Sequence, residues 1–249
     1  MARNKNGELV ALKALKKRHI AKYDEQENLR NELQVFKMAT AAKFPFLVQM
    51  KACWQDEQYY CFEMEFVEGG DLMYHIQRRS FTVEEVRLIS AEVVCALDFL
   101  HRHDIIYRDL KLDNVMLTRE GHVKLADYGL CKPGISPEDT TSTYCGTPDF
   151  MAPEIVLEQP YTRTVDHWTL GVLLYELLLG KAPFVGKNET ALFKSILQAE
   201  VKFPSTPKVP SDAKDLIRKV KIPFLASEQE SRQAHHLGSS AQACLLQGN

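Results

Sequence analysis

The sequence predicts an α+β fold in two lobes, a small strand-rich one followed by a mainly helical one. Three observations carry that prediction. Up to residue 67 the apolar residues fall largely in short β-type runs, at 8–16, 46–54 and 59–67. Beyond it they recur at helical spacing, above all at 82–100 and 164–180. Between the two, Met64-Glu-Phe-Val-Glu-Gly-Gly-Asp-Leu72 leaves a strand for a helix through two glycines, as a connector between lobes does.

A chain of 249 residues with 45% apolar content can bury a substantial core. Its net charge of −2 and the lack of a long basic run give no electrostatic case for nucleic acid or a membrane surface. The six cysteines, at 53, 61, 95, 131, 145 and 244, have no paired metal-ligand spacing and fit reduced thiols. The N-terminus has no secretory apolar core, and the longest apolar stretch, 170–179, contains Glu176 and is too short for a bilayer. The expectation is a soluble cytoplasmic or nuclear protein, the cytoplasm being the default.

In chain order, 8–16 reads as a half-buried strand carrying Lys13 and ending in a solvated basic cluster, Lys16-Lys-Arg-His19. Residues 25–38 place Leu29, Leu33 and Phe36 on one helical stripe with Glu32 beside it. Two strands follow, joined by the polar turn Gln55-Asp-Glu-Gln58; Glu63 in the second must face solvent or find a partner. Thr82-Val-Glu-Glu85 is a capping box opening a helix that buries Val86, Ile89, Val93, Leu97 and Leu100. That helix leads into Tyr107-Arg-Asp-Leu-Lys-Leu-Asp-Asn114. Residues 114–117 and 122–126 then read as short strands around Glu120-Gly121, bringing Asn114 and Asp127 to one end. Residues 130–154 read as a long loop centred on Thr140-Thr-Ser-Thr-Tyr-Cys-Gly-Thr147. The helix at 164–180 is apolar nearly all round, so Asp166 at its start is no casual surface charge. Helices at 188–199 and 211–220, the second capped by Ser211, precede a Ser-, Gln- and Ala-rich tail, 221–249, expected to be disordered.

The chemistry sits in two of these pieces. Asp109 can take a proton from an attacking hydroxyl, Lys111 can hold a phosphate, and Asn114 and Asp127 offer the oxygen ligands that Mg²⁺ prefers. The first piece and Ala126-Asp-Tyr-Gly129 together resemble the protein kinases, whose catalytic loop reads H-R-D-x-x-x-x-N and whose metal loop reads D-F-G. Val10-Ala-Leu-Lys13 with Glu32 matches the kinase lysine and its helix glutamate.

The resemblance implies a two-lobed kinase fold with an incomplete small-lobe sheet: residues 1–67 as part of the small lobe, 68–220 as the large lobe. It implies ATP and Mg²⁺ as cofactors. Asp109 becomes the catalytic base, assisted by Lys111, with Asn114 and Asp127 on the metal. Lys13 and Glu32 orient phosphates, and backbone groups of Glu65 and Val67 bind the adenine edge. Met64 guards the pocket behind, Met116 lies beneath the adenine and Asp71 reaches the ribose. Thr147 hydrogen-bonds near Asp109 and Lys111, and Asp166 anchors the catalytic loop. Phe36, Met50, Tyr107 and Tyr128 should stack into one hydrophobic column, the Tyr128 hydroxyl requiring a partner.

Within the kinases, Gly69-Gly-Asp-Leu-Met73, Ile106-Tyr-Arg-Asp-Leu-Lys-Leu-Asp-Asn114 and Thr143-Tyr-Cys-Gly-Thr-Pro148 are similar to the AGC group, namely protein kinase C and its relative protein kinase N. Asp127-Tyr-Gly with Asp139-Thr-Thr-Ser-Thr143 is most similar to the atypical branch. That implies a Ser or Thr acceptor, and phosphorylation of Thr143 by an upstream kinase, with Arg108 as the phosphate's partner. Asp71, Asp113 and Glu176 would face the peptide groove and favour basic substrates. Two departures accompany the match. The Gly-rich phosphate-covering loop and the first two strands are expected to be absent, and Glu154 is expected to lack its arginine. A kinase-like binding module, competing with a full-length relative, therefore stands as the alternative to an active serine/threonine kinase.

Overall fold

The strand that bears Lys13 forms because 9–16 alternates two kinds of surface: Lys13 and Leu15 turn inward while Leu12, Ala14 and Lys16 turn to solvent. The computed structural model describes residues 1–219. The sheet of the first lobe contains β1 (Ala2–Arg3), β2 (Leu9–Lys16), β3 (Met50–Gln55) and β4 (Tyr59–Glu65), in the order β1-β2-β4-β3. All three pairings are antiparallel, with Lys13 opposite Phe62. Ala2 faces Val10 and Arg3 faces Leu9, so part of a strand preceding β2 is present where none was expected. It covers only the first two residues of β2.

Two helices cover this lobe. α1 (Lys17–Lys22) begins where the basic cluster was read as a strand end; the strand stops at Lys16 and the chain turns helical at once. α2 (Gln26–Ala42) runs four residues past the predicted end because Met38 to Ala42 has no breaker. It stops at Lys43, whose left-handed φ of 49° closes the helix through a bond to the Ala39 carbonyl. Its buried side carries Glu32, Val35, Phe36 and Ala39, which puts Glu32 inside the apolar stripe rather than beside it. β3 starts at Met50, later than predicted, and Glu63 finds a partner in the Asn4 side chain amide at 3.4 Å.

The glycine connector is stitched, not loose. Gly69 donates to the Leu117 carbonyl and Leu117 to the Gly70 carbonyl, at 2.9 and 2.8 Å. A Cβ on Gly69 would lie 2.4 Å from the Leu117 oxygen, so close backbone approach dictates that glycine. α3 (Leu72–Ile76) follows, and then α4 (Val83–Arg102), opened by the capping box as read: Thr82 accepts from the Glu85 amide and the Glu85 carboxylate accepts from the Thr82 amide.

β5 (Ile105–Ile106) leads out of α4; β6 (Val115–Leu117) and β7 (Val123–Leu125) form a hairpin, and β8 (Lys132–Pro133) pairs back onto β5. The segment 130–154 is therefore not one long loop. It holds β8, a 3-10 turn at Pro148–Phe150 and the start of α5 (Pro153–Val156). α6 (Thr164–Leu179) is buried around its whole circumference, as its sequence predicts. α7 (Glu189–Gln198) is capped by Asn188. α8 (Ser211–Lys219) starts at Ser211, and the Lys214 amide bonds the Pro210 carbonyl, so Ser211 is the first helical residue and not the cap. The tail at 221–249, predicted to be disordered, lies outside the described residues, as does Cys244.

One continuous core joins the two halves: Phe36 and Phe62 belong to the same buried cluster as Tyr107, Tyr128, Leu100 and Leu173. Of the predicted column, Phe36 meets Tyr128 edge-on with centroids 4.7 Å apart, and Met50 packs on the cluster. The Tyr107 ring lies in the same cluster, but the ring contacts among the described residues do not include a Tyr107 stack; its hydroxyl bonds the Ala126 carbonyl instead. The Tyr128 hydroxyl is satisfied by the Val48 carbonyl at 2.9 Å.

Candidate active site

Asp166 organises the catalytic loop from below. Fully buried at the start of α6, its carboxylate accepts the Tyr107 amide at 2.9 Å, the Arg108 amide at 2.8 Å and His101 Nε2 at 2.7 Å. Arg108 is held at φ 66°, a left-handed conformation that costs a non-glycine residue about 1–3 kcal/mol and persists only where its surroundings enforce it. Asp127 has the same character, at φ 57°. These two lie at the site, whereas Asp24, Lys43, Asp104 and Glu158 adopt the same region elsewhere.

With the backbone so fixed, Asp109 meets three side chains. Lys111 Nζ approaches its carboxylate at 3.0 Å, Thr147 Oγ1 donates to it at 3.1 Å, and Asn114 Nδ2 donates at 2.7 Å. Lys111 also donates to Thr147 at 2.9 Å, which ties the 147 region to the catalytic loop as the resemblance implied. The β6–β7 hairpin sets Asn114 against the metal loop: Val115 faces Leu125, and the Ala126 amide bonds the Asn114 carbonyl at 2.9 Å.

A second constellation reaches in from the sheet. Lys13 Nζ lies 2.6 Å from Glu32 and 2.8 Å from Asp127, so one ammonium joins β2, α2 and the metal loop. Burial pulls the Lys13 ammonium down, but the two carboxylates more than offset it and raise it above its ordinary value. Burial likewise pushes Glu32 up, with Lys13 offsetting part of that shift. At Asp127 burial also acts upward, and Lys13 overcomes it with help from the Gly129 amide and the Lys111 charge, leaving the carboxyl below its usual range. The influence of Lys111 on Asp127 connects the two constellations electrostatically.

The remaining predicted residues divide. Val67 is buried, and its backbone amide and carbonyl take no partner among the described residues. Met64 and Met116 are partly buried and pack against the core. The Glu65 amide is already bonded to the Gln49 carbonyl, and its carboxylate takes Lys124 and the Gln49 amide. Asp71 caps α3 through the Tyr74 amide at 2.6 Å, so one of its oxygens is engaged. Thr143 is exposed, while Arg108 is buried and bonded to the Leu130 carbonyl and the Tyr161 hydroxyl. Glu154 has no ion-pair partner among the described residues, and burial raises its carboxyl.

Glu176 lies in α6 with one buried oxygen unpaired. Burial first, then the negative charges of Asp149 and Asp113, raises it to about 7. Asp113 and Asp149 are exposed while Glu176 is buried, and none of these three acids has an ion-pair partner among the described residues. Sequence reading missed Asp149, and it missed Tyr161 and His101 as partners of the catalytic loop. Asp149 carried a signal, since it follows Thr147-Pro148 directly; the other two had none short of the fold. No cluster of three His, Cys, Asp or Glu able to hold a metal ion occurs among the described residues. Asn114 Oδ1 and Asp127 Oδ2, which take no partner among the described residues, suit a hard ion that keeps several waters.

A family model described as "Protein kinase domain" matches residues 1–235. The chain belongs to the protein kinase family. It is 51% identical over 197 residues to "Protein kinase C-like 2" of Schizosaccharomyces pombe, a match covering 79% of this chain and 19% of that protein. It is 50% identical over 198 residues to "Serine/threonine-protein kinase N2" of Danio rerio, with 80% and 20% covered, and 46% identical over 216 residues to "Protein kinase C-like" of Neurospora crassa, with 87% and 19% covered. The kinase chain thus spans about a fifth of the length of these relatives. They agree with the protein kinase C and N resemblance of its motifs. Among the described residues of the kinase no helix is long and apolar enough to cross a membrane.

Proposed function

We propose that this chain is a serine/threonine kinase that moves the γ-phosphoryl group of ATP to hydroxyls flanked by basic residues. The convergence of Asp109, Lys111, Thr147 and Asn114 with the Lys13–Glu32–Asp127 group carries the reading. When bound, Mg²⁺-ATP supplies the phosphoryl group and neutralises its developing charge. Asp127 and Asn114 would hold the metal, Lys13 the phosphates, and the free backbone groups of Val67, with the Glu65 backbone, the adenine edge above Met116. Asp71 would reach the ribose with its unengaged oxygen. Asp109 accepts the proton of the incoming hydroxyl, and Lys111 and Thr147 hold its carboxylate in place. No observation favours a non-catalytic module over this reading.

We place the lobe boundary between Val67 and Glu68, and the second lobe to residue 220. Exposure of Thr143 supports its phosphorylation by an upstream kinase, and the free thiols support a reducing, cytoplasmic setting. The test is titration with Mg²⁺-ATP, read by transfer to a Ser-containing, Arg-rich peptide. Asp127→Ala serves as the control and should weaken the Mg²⁺-dependent affinity roughly tenfold or more, the size of a lost charge-assisted contact. Absence of Mg²⁺-ATP binding to both proteins would remove the proposal.

Glu176 supplies a pH signature for the basic substrate. Its folded carboxyl is raised from 4.5 to about 7, so the stability linked to it is full below about pH 4.5 and lost as pH rises through 7, a loss of about 3 kcal/mol by alkaline pH. A bound arginine stabilises the ionised form, so affinity for an Arg-rich peptide should rise between pH 6 and 8. Glu176→Gln is expected to be the more stable protein at pH 8, to raise the peptide KM roughly tenfold and to flatten that dependence. A wild-type KM that is level across this range, or equal rates on acidic and basic peptides, would defeat the assignment.

A further inference from the structure

The Tyr161 hydroxyl is a junction that none of the kinase motifs contains. Tyr161 is buried between α5 and α6. Its backbone bridges Thr141 in both directions, at 2.9 and 2.8 Å. Its hydroxyl accepts from Arg108 Nη1 at 3.1 Å and donates to the Thr143 carbonyl at 2.7 Å, with Cys145 Sγ 3.7 Å away. Arg108 Nε in turn donates to the Leu130 carbonyl at 2.7 Å. Leu130, Arg108, Tyr161 and Thr143 therefore form one hydrogen-bonded line from just past the metal loop, through the residue beside the catalytic base, to the exposed threonine. Burial pushes the phenol up to about 12 against the pull of Arg108, so it remains a donor at physiological pH.

We propose that Tyr161 is a positioning residue whose hydroxyl latches the 139–147 segment to Arg108 without any phosphate on Thr143. The proposal rests on the kinase reading for its effect on turnover, but not for the latch itself. A phosphate on Thr143 then reinforces an alignment that already exists, and the unphosphorylated chain keeps a basal alignment of Asp109 through Arg108. Removing the hydroxyl leaves a buried guanidinium nitrogen and the Thr143 carbonyl without partners, which loosens the segment.

The experiment compares wild type with Tyr161→Phe, each with Thr143 free and phosphorylated. Amide exchange across 139–147 and kcat on an Arg-rich peptide are the two readouts. Without phosphate, Tyr161→Phe should speed exchange and lower kcat roughly tenfold each, the size of one charge-assisted hydrogen bond, with the ATP KM unchanged. With phosphate, both losses should shrink to about threefold or less, because the phosphate offers Arg108 another partner. Unchanged exchange in the unphosphorylated variant would overturn the latch, and so would losses that phosphorylation leaves undiminished, since a purely structural tyrosine predicts them. If wild type shows no turnover in either state the kinase reading fails, while the exchange comparison still decides for or against the latch.

Discussion

Replacing Asp109 with asparagine is expected to lower turnover about 10²–10⁴-fold, the usual contribution of a positioned proton acceptor, while ATP affinity stays within a few-fold of wild type. The geometry explains the separation. Asp109 accepts from Lys111, Thr147 and Asn114, and it touches neither Lys13 nor Val67, the groups assigned to the phosphates and the adenine edge. An asparagine there must turn its amide nitrogen toward one of these donors. If it faces Asn114 Nδ2, two NH₂ groups oppose each other in a buried place; if it faces Lys111, the ammonium must withdraw and Thr147 must reverse its hydroxyl. Either arrangement removes the proton acceptor and loosens the 147 region together. Single-turnover transfer measured beside an ATP titration separates the two effects. Turnover within about threefold of wild type would mean that Asp109 is only a structural acceptor.

How much of this was legible beforehand depends on whether the determining interaction is local. The capping box at Thr82, the apolar circumference of α6 and the β6–β7 hairpin are written in neighbouring residues, and the structure has them where the pattern puts them. Lys13 and Glu32 are far apart in sequence; only the family resemblance paired them, and the 2.6 Å contact bears that out. What the pattern did not contain was the outcome of competition. The basic cluster after Lys16 turned helical, Ser211 became a helical residue, and Glu65 and Asp71 spend groups on Gln49, Lys124 and Tyr74 that a sequence cannot allocate. The left-handed backbone of Arg108 was likewise invisible, because nothing in an arginine announces a positive φ, and the general tolerance of aspartate for that region does not single out Asp127. Tertiary hydrogen bonds impose it.

At Arg108 that bond comes from Asp166, and removal of this carboxylate is the largest stability change expected in the chain. Asp166→Ala strands two buried backbone amides, at Tyr107 and Arg108, and one imidazole N–H at His101, at a position closed off from bulk solvent. Breaking a buried charged network from one side costs about 3–5 kcal/mol, a large share of the 5–15 kcal/mol that holds a typical domain folded. Asp166→Asn should lose less. One carboxylate oxygen serves Tyr107 and His101 while the other serves Arg108 alone, so an amide oriented to keep the shared oxygen sacrifices a single bond. The order wild type, Asn, Ala should therefore appear in urea midpoints at constant slope. Turnover of the Asn variant should fall more than its stability suggests, because the lost bond is the one that holds Arg108 at φ 66° directly before Asp109. Equal midpoints for all three proteins would show that the strained backbone is held by something other than this carboxylate.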